Sequence, residues 1–337
     1  MKLGVLVGDK GNWTFFDDIY SDLRDHYDVE VHHLRTFKTP ILYGRLNRWT
    51  YLNDIRAILR RNDLCLFEWA TDLLVTASQM EKFCPIVTRL HSYEIYAWAP
   101  SVNWDQVDRV ILVSNEMRRK FAELYPDHSW KARVVNNGVS LTKFRPPGGR
   151  TFGMNLGMLA SIHPAKRIYE IIMMQHSLKE LGHSPILHVA GKRLHGGYVD
   201  EYYTAMLSLV AKLDLNGSFL YHGQVADAHR WLRGIDIFIS NSYWEGQQVA
   251  LLEAMASGCY CLSHFWDGAE EILPAENLYV TETELQRKIL EYSELPEREK
   301  GQRQAEMRTI ASEKFDIERT KREIRSIIDE VAASTVL

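Results

Sequence analysis

Ile235-Asp236-Ile237-Phe238-Ile239-Ser240-Asn241-Ser242-Tyr243-Trp244-Glu245-Gly246-Gln247-Gln248-Val249-Ala250-Leu251-Leu252-Glu253-Ala254-Met255-Ala256-Ser257-Gly258 decides the fold of this chain. The apolar opening Ile235–Ser240 reads as a strand, the polar middle as a loop, and the run up to Gly258 as a short helix with a glycine suited to its C-cap. A strand, turn and helix in that order mark the ligand-binding end of an open α/β sheet. Backbone amides at the helix N-terminus, aided by the helix dipole, suit an anion such as a diphosphate. Glu253, read as about two turns further in, offers a carboxylate that accepts hydrogen bonds from sugar hydroxyls. One helix can thus hold two parts of a nucleotide-sugar. A bare Glu-x7-Glu spacing arises by chance in many chains, as a pair of solvated carboxylates. Here the strand before it, Gly258 after it and the further strand Cys259–Leu262 supply context that chance does not.

Outward from this stretch, short β-rich runs alternate with helical patterns, the mark of a mostly parallel sheet covered by helices. Leu3–Val7, Val29–His33, Leu64–Phe67, Ile86–Leu90, Val110–Val113 and Arg133–Asn136 form a first series of expected strands. Phe152–Leu159, Ile186–Ala190, Ser218–His222, Ile235–Ser240 and Cys259–Ser263 form a second. Between them lies the densest turn signal, Arg145-Pro146-Pro147-Gly148-Gly149. The expected architecture is therefore α/β, with two doubly wound, Rossmann-like domains over residues 1–147 and 148–312. Residues 313–337 are set apart, because Ile317, Ile324, Ile327, Ile328 and Val331 give an amphipathic helix.

With 337 residues, 46% hydrophobic and 25% charged, the chain is long enough for two domains of about 150 residues each. A net charge of −4 argues against nucleic acid as the main partner. The apolar start Leu3–Val7 is cut short by Asp9 and Lys10, so neither a signal peptide nor a membrane span is expected. Four cysteines without a Cys-x-x-Cys pair are expected to be buried, reduced thiols, and the protein cytoplasmic.

The glutamate pair followed by Ala254-Met255-Ala256-Ser257-Gly258 resembles the signature of the retaining glycosyltransferases of the GT-B fold, family 4 or group 1. The resemblance spans roughly residues 88–273. It implies two domains facing each other across a cleft, the acceptor on the N-terminal one and the nucleotide-sugar on the C-terminal one, and a last helix that packs back on the N-terminal domain. It implies transfer with retention, no separate enzyme nucleophile and no required cofactor or metal. A UDP-sugar is favoured by the family's habits, with a GDP-sugar open.

Cleaving the bond from the anomeric carbon to a diphosphate builds negative charge on the leaving group, which a cation must face. Asn155–Arg167 ends a strand, makes a Pro-containing loop and delivers Lys166 and Arg167 at the start of the helical run Ile168–Leu181. It resembles the family's phosphate loop, although Met158 stands where relatives more often carry arginine. A basic pair on a solvated first turn is the bland alternative. His91, just past Ile86–Leu90, matches a histidine of many relatives and is placed to touch donor sugar or phosphate; a strand-end histidine alone is more often structural. Gly11 and Asn12, in the glycine loop after the first strand, are candidates because that loop reaches donor and acceptor in relatives. Gly191 and Lys192 follow one strand, and Gln224 another, in loops resembling those that receive phosphate and base. Gly246, Gln247, Gln248 and Val249 line the helix start, where the two glutamines serve either sugar hydroxyls or the cap. The candidate catalytic residues are thus His91, Lys166 and Glu245.

Between Arg35 and Arg61, seven basic residues (Arg35, Lys38, Arg45, Arg48, Arg56, Arg60, Arg61) face only Asp54, with Tyr43, Trp49 and Tyr51 interleaved. This stretch suits an anionic acceptor or the inner surface of an anionic membrane. The alternative is a solvated face with its aromatics packed inward. The partners expected are a nucleotide-sugar and a glycan or lipid-linked acceptor. Two rivals share the architecture: a sugar-nucleotide 2-epimerase, and a non-catalytic glycan-binding protein.

Overall fold

The computed structural model describes residues 1–8, 13, 16–35, 37, 43–149 and 151–334. The chain forms two compact units, Met1–Asn137 with Ile317–Leu337, and Gly138–Asp316. It therefore passes from the first unit to the second at residue 137/138, not near 147. The Pro-Pro-Gly-Gly stretch belongs to the second unit, its glycines exposed and Pro146 set against Gly258. A Cβ on Gly258 would come 2.9 Å from the Pro146 ring, so proline and glycine fit against each other.

The first unit holds a six-stranded sheet, all parallel, of β1 (Lys2–Leu6), β2 (Asp28–Val31), β3 (Leu64–Phe67), β4 (Ile86–Leu90), β5 (Arg109–Leu112) and β6 (Ala132–Val134). Its order is β2-β1-β3-β4-β5-β6. The inner strands β3, β4 and β5 are buried on both faces, which is why they read as largely apolar runs, whereas edge strand β2, Asp-Val-Glu-Val, has no buried residue. Cys65, Phe67 and Leu90 point into one core, while Leu64, Leu66 and Val87 point into the other. That second core also contains Ile317, Ile324, Ile327, Ile328 and Val331 of the Ile317–Ser334 helix. The amphipathic period of this last helix buries its isoleucines against β1 and β3, and it belongs to the first unit although it ends the chain.

The second unit repeats the plan with β7 (Asn155–Leu159), β8 (Ile186–Ala190), β9 (Phe219–Tyr221), β10 (Ile237–Ser240), β11 (Tyr260–His264) and β12 (Leu278–Tyr279), in the order β12-β11-β10-β7-β8-β9. The two-residue β12 carries too little pattern to be foreseen. The central pair is β10 and β7, so the loops leaving their carboxyl ends are neighbours, and that adjacency builds the site described next. All four cysteines are buried thiols outside any disulfide, and no described helix is long and apolar enough to cross a membrane.

Candidate functional site

β10 feeds a loop that ends at the Val249–Ala256 helix. The helix stops where Gly258 takes φ +73°, letting Gly258 N–H donate to Met255 O and Cys259 N–H to Ala254 O, each at 3.0 Å. This paired closure needs a left-handed residue, and glycine supplies it without steric cost. Because the helix begins at Val249, Glu253 sits one turn inside it rather than two. No side chain among the described residues hydrogen-bonds its carboxylate. Although the residue keeps some exposed surface, its carboxyl is packed around by protein, and the loss of water pushes its pKa up to about 7 against a weak opposing pull from Lys143. Gln248 occupies the N-cap but its side chain caps nothing, and its Oε1 is buried without a partner. Gln247 is buried beside it.

Glu245 and Lys166 form an ion pair, and Ser242 Oγ donates to the same Glu245 Oε1 at 2.7 Å. The pairing follows from topology: Lys166 lies in the loop after β7 and Glu245 in the loop after β10, and Tyr243 N–H donates to Ala165 O at 3.0 Å to fasten the two loops. Arg167 is turned elsewhere. It sits at φ +52°, a left-handed conformation that costs a non-glycine residue about 1–2 kcal/mol. Asn241 Nδ2 holds its carbonyl at 3.0 Å, and buried Tyr279 in turn donates to Asn241 Oδ1 at 2.8 Å. Its guanidinium pairs with Glu282 and lies 4.9 Å from the Tyr243 ring centroid. The structure thus brings Lys166, but not the Arg167 guanidinium, to Glu245. Met158 is buried in the core.

Gly191 is held where no side chain fits: at φ +147°, an added Cβ would stand 1.8 Å from Ala160 O. This close approach locks the loop after β8 against the one after β7, and Tyr221 OH donates to Gly191 O at 3.0 Å. Lys192 next to it is exposed and makes no ion pair among the described residues, and Gln224 is exposed as well. Gly246 is buried, and Val249 is the first residue of the helix. Gly11 and Asn12 lie outside the described residues.

In the first unit, His91 closes a buried charged cluster at the ends of β3 and β4. Glu68 is fully buried, and its Oε1 accepts from Arg89 at 2.6 Å and meets His91 Nε2 at 3.2 Å. Arg89, also buried, donates to Asn137 Oδ1 at 2.9 Å. The Trp69 ring stacks on the imidazole at 4.0 Å between centroids. Glu94 fastens the backbone here, accepting from His91 N–H and Ser92 N–H at 3.2 and 2.9 Å. A carboxylate facing Nε2 selects the tautomer with the proton on that nitrogen, which leaves Nδ1 as the acceptor. Glu68 and Arg89 escaped the sequence reading. A usable signal existed, since Glu68 follows β3 just as His91 follows β4, and these strands are paired.

The basic stretch is less bare than its sequence suggests. Arg35 pairs with Asp54, Arg61 pairs with Glu30 from β2, and Arg60 lies 4.5 Å from the Phe83 ring centroid. Lys38 lies outside the described residues. Of the aromatics, Tyr51 packs inward, whereas Tyr43 and Trp49 stay 60% and 65% exposed on the Tyr43–Arg61 helix, beside Arg45 and Arg48.

Comparison with known proteins agrees with this geometry. Residues 155–293 match the family model "Glycosyl transferases group 1", and residues 14–143 match "Glycosyltransferase Family 4". EpsF of Bacillus subtilis (strain 168), to which glycosyltransferase activity is ascribed, is 23% identical over 269 residues, covering 70% of this chain and 67% of that protein. Among solved structures, HepE of Anabaena in complex with UDP and glucose superposes with a TM-score of 0.78 at 18% identity, covering 98% of this chain and 99% of that one. Sucrose-phosphate synthase of Thermosynechococcus elongatus gives 0.77 at 13% identity, over 99% and 100% of the two chains. At such identities these neighbours speak for the fold, which is GT-B. The family matches run through both sheets and through the strand, loop and helix that carry the glutamate pair, and the chain belongs to the group 1, family 4 glycosyltransferases.

Proposed function

We propose that this glycosyltransferase moves a sugar from a nucleoside diphosphate to a hydroxyl acceptor with retention of configuration and without a metal ion. The acceptor oxygen bonds to the anomeric carbon on the face the nucleotide leaves from. The carbon–oxygen bond to the diphosphate breaks with its electron pair, and the acceptor proton passes to the leaving phosphate. In this reading Glu253 accepts hydrogen bonds from sugar hydroxyls of the donor, and the amides of Gly246, Gln247, Gln248 and Val249 meet its anionic part. Lys166 leaves Glu245 to neutralise the diphosphate, freeing Glu245 to face the donor sugar. Gly191 and Lys192 border the phosphates, Gln224 the base, and Arg167 braces the loop that carries Lys166. His91, Gly11 and Asn12 act from the first unit, on which the acceptor binds.

The observation that carries this is Glu253, a carboxylate desolvated inside a helix with no hydrogen-bond partner among the described residues, one turn beyond a helix N-terminus. A buried group of this kind is costly unless a ligand satisfies it. The UDP bound by HepE supports UDP over GDP as the donor's nucleotide. A thermal-shift screen of UDP, GDP, ADP and their sugar conjugates tests the reading, since a ligand bound only by the folded state raises the midpoint. A shift with one nucleotide that vanishes in Glu253→Ala supports it, and no shift with any defeats it. Proton NMR of the product's anomeric signal reports retention, and full activity in EDTA reports metal independence. The exposed Tyr43 and Trp49 beside Arg45 and Arg48 are proposed to touch an anionic membrane. Failure to sediment with anionic liposomes at low salt would remove that contact.

A further inference from the structure

The carboxyl end of the first unit's sheet carries a cavity of about 330 Å³. Loops from neighbouring strands build it: Gly8 follows β1, His32 follows β2, Asp72 follows β3, and Tyr93 and Trp98 follow β4, while Tyr51 enters from the Tyr43–Arg61 helix. β1 is the point where the strand order reverses, with β2 on one side and β3 on the other. In open α/β sheets the crevice at such a reversal takes the ligand.

The wall chemistry narrows what that ligand is. Tyr93 and Trp98 keep 47% and 37% of their surface exposed, an unusual concentration of open aromatic surface in one hollow. Tyr51 OH donates to Asp72 Oδ2 at 2.8 Å, which orients the carboxylate, and Asp72 Oδ1 takes no hydrogen bond among the described residues. Among the described residues, no lysine or arginine lines the cavity. His32 does not supply a cation either: burial holds its pKa below the ordinary histidine value despite the pull of Asp54 and Asp72, and its buried Nε2 has no hydrogen-bond partner among the described residues. A phosphate or carboxylate entering here would meet Asp72 with no cation among the described lining residues to neutralise it. A sugar ring would lay its apolar C–H face on the aromatic rings and give a hydroxyl to Asp72.

We propose that this cavity binds an uncharged sugar unit of the acceptor, with its ring against Tyr93 and Trp98 and one hydroxyl donating to Asp72. The inference rests on the glycosyltransferase reading above and narrows its acceptor to a neutral glycan end. It separates the acceptor pocket from the basic helix surface, which the cavity does not include apart from Tyr51.

The test is saturation-transfer NMR on the full chain in the presence of UDP, using methyl glycosides of glucose, galactose and N-acetylglucosamine, with methyl glucuronoside and glycerol phosphate as anionic probes. At least one neutral glycoside is expected to bind, and Trp98→Ala and Asp72→Asn are each expected to weaken it roughly tenfold. Both variants should keep the wild-type circular dichroism and UDP-induced thermal shift. Binding of the anionic probes with equal strength, unchanged affinity in both variants, or no binding of any neutral glycoside overturns the proposal. Glycoside binding that follows the variants in a chain with no UDP shift would uphold the cavity and remove the donor reading instead.

Discussion

Two desolvated carboxylates near the carboxyl ends of the two sheets, Glu68 and Glu253, are treated differently. Glu68 has no accessible surface, and its Oε1 is matched by Arg89 and His91, while its Oε2 takes no hydrogen bond among the described residues. Glu253 is desolvated to a pKa of about 7 with no side-chain hydrogen bond among the described residues to answer it. A buried carboxylate that the protein pairs with a cation is an organiser of structure. A desolvated carboxyl with no ion pair among the described residues, as Glu253 is, suits the ligand proposed for it, and the chain carries the cost of its desolvation in the empty state.

The largest effect is expected from removing the paired one. Glu68→Ala strands the Arg89 guanidinium and should cost about 3–5 kcal/mol, read as a lower urea midpoint with an unchanged slope. A loss below about 1 kcal/mol would mean that the pair is not buried as described. Glu68→Gln is the gentler probe of His91: with the carboxylate gone the imidazole loses its tautomer selection, and turnover should fall more than substrate affinity does.

At Glu253 the opposite sign is expected. Its folded pKa of about 7 lies above the ordinary 4.5. Both states are protonated below pH 4.5 or so, and no penalty exists there. As pH rises through about 7 the folded state must bear an unsolvated charge, so stability is lost across that window, by about 3 kcal/mol in all. Glu253→Gln should therefore stabilise the ligand-free protein at pH 8 by up to this amount while weakening nucleotide-sugar binding at least about tenfold. Equal melting temperatures of variant and wild type at pH 8 would break the contrast with Glu68.

The same argument sharpens into a linkage measurement. Sugar hydroxyls that donate to an ionised Glu253 lower its pKa, so donor binding near pH 6.5 should release part of a proton. Titration calorimetry in buffers of different ionisation enthalpy reads that release, and a heat independent of buffer would count against it.

The smallest effect belongs to Arg167. Arg167→Gly relieves a left-handed strain of about 1–2 kcal/mol and gives up the partly buried pair with Glu282 and the Tyr243 contact. The net change in stability should stay within about 1 kcal/mol. Lys166→Met, by contrast, should lower kcat/KM by about a hundredfold or more. Equal kinetic losses in the two variants would place both cations on the diphosphate.

Much of this was legible along the chain, because it is local. The strand–loop–helix at 235–258, the apolar strands buried on both faces and the isoleucine spacing of the last helix are patterns of period and neighbourhood, and eleven of the twelve strands fall within three residues of where those patterns put them. Gly258 could be read as a cap because only glycine sits easily at that conformation. What depends on strands far apart in sequence could not be read. That Lys166 meets Glu245 follows from β7 lying beside β10; that Glu68 answers Arg89 follows from β3 lying beside β4; and the turn of the Arg167 guanidinium toward Glu282 depends on a helix more than a hundred residues on. The sequence alone determined which elements form and where a ligand-binding end must lie. Only the tertiary structure decided which charges are neutralised, which are left waiting and which residue crosses between the units, because burial and pairing belong to the assembled sheets and not to any segment of the chain.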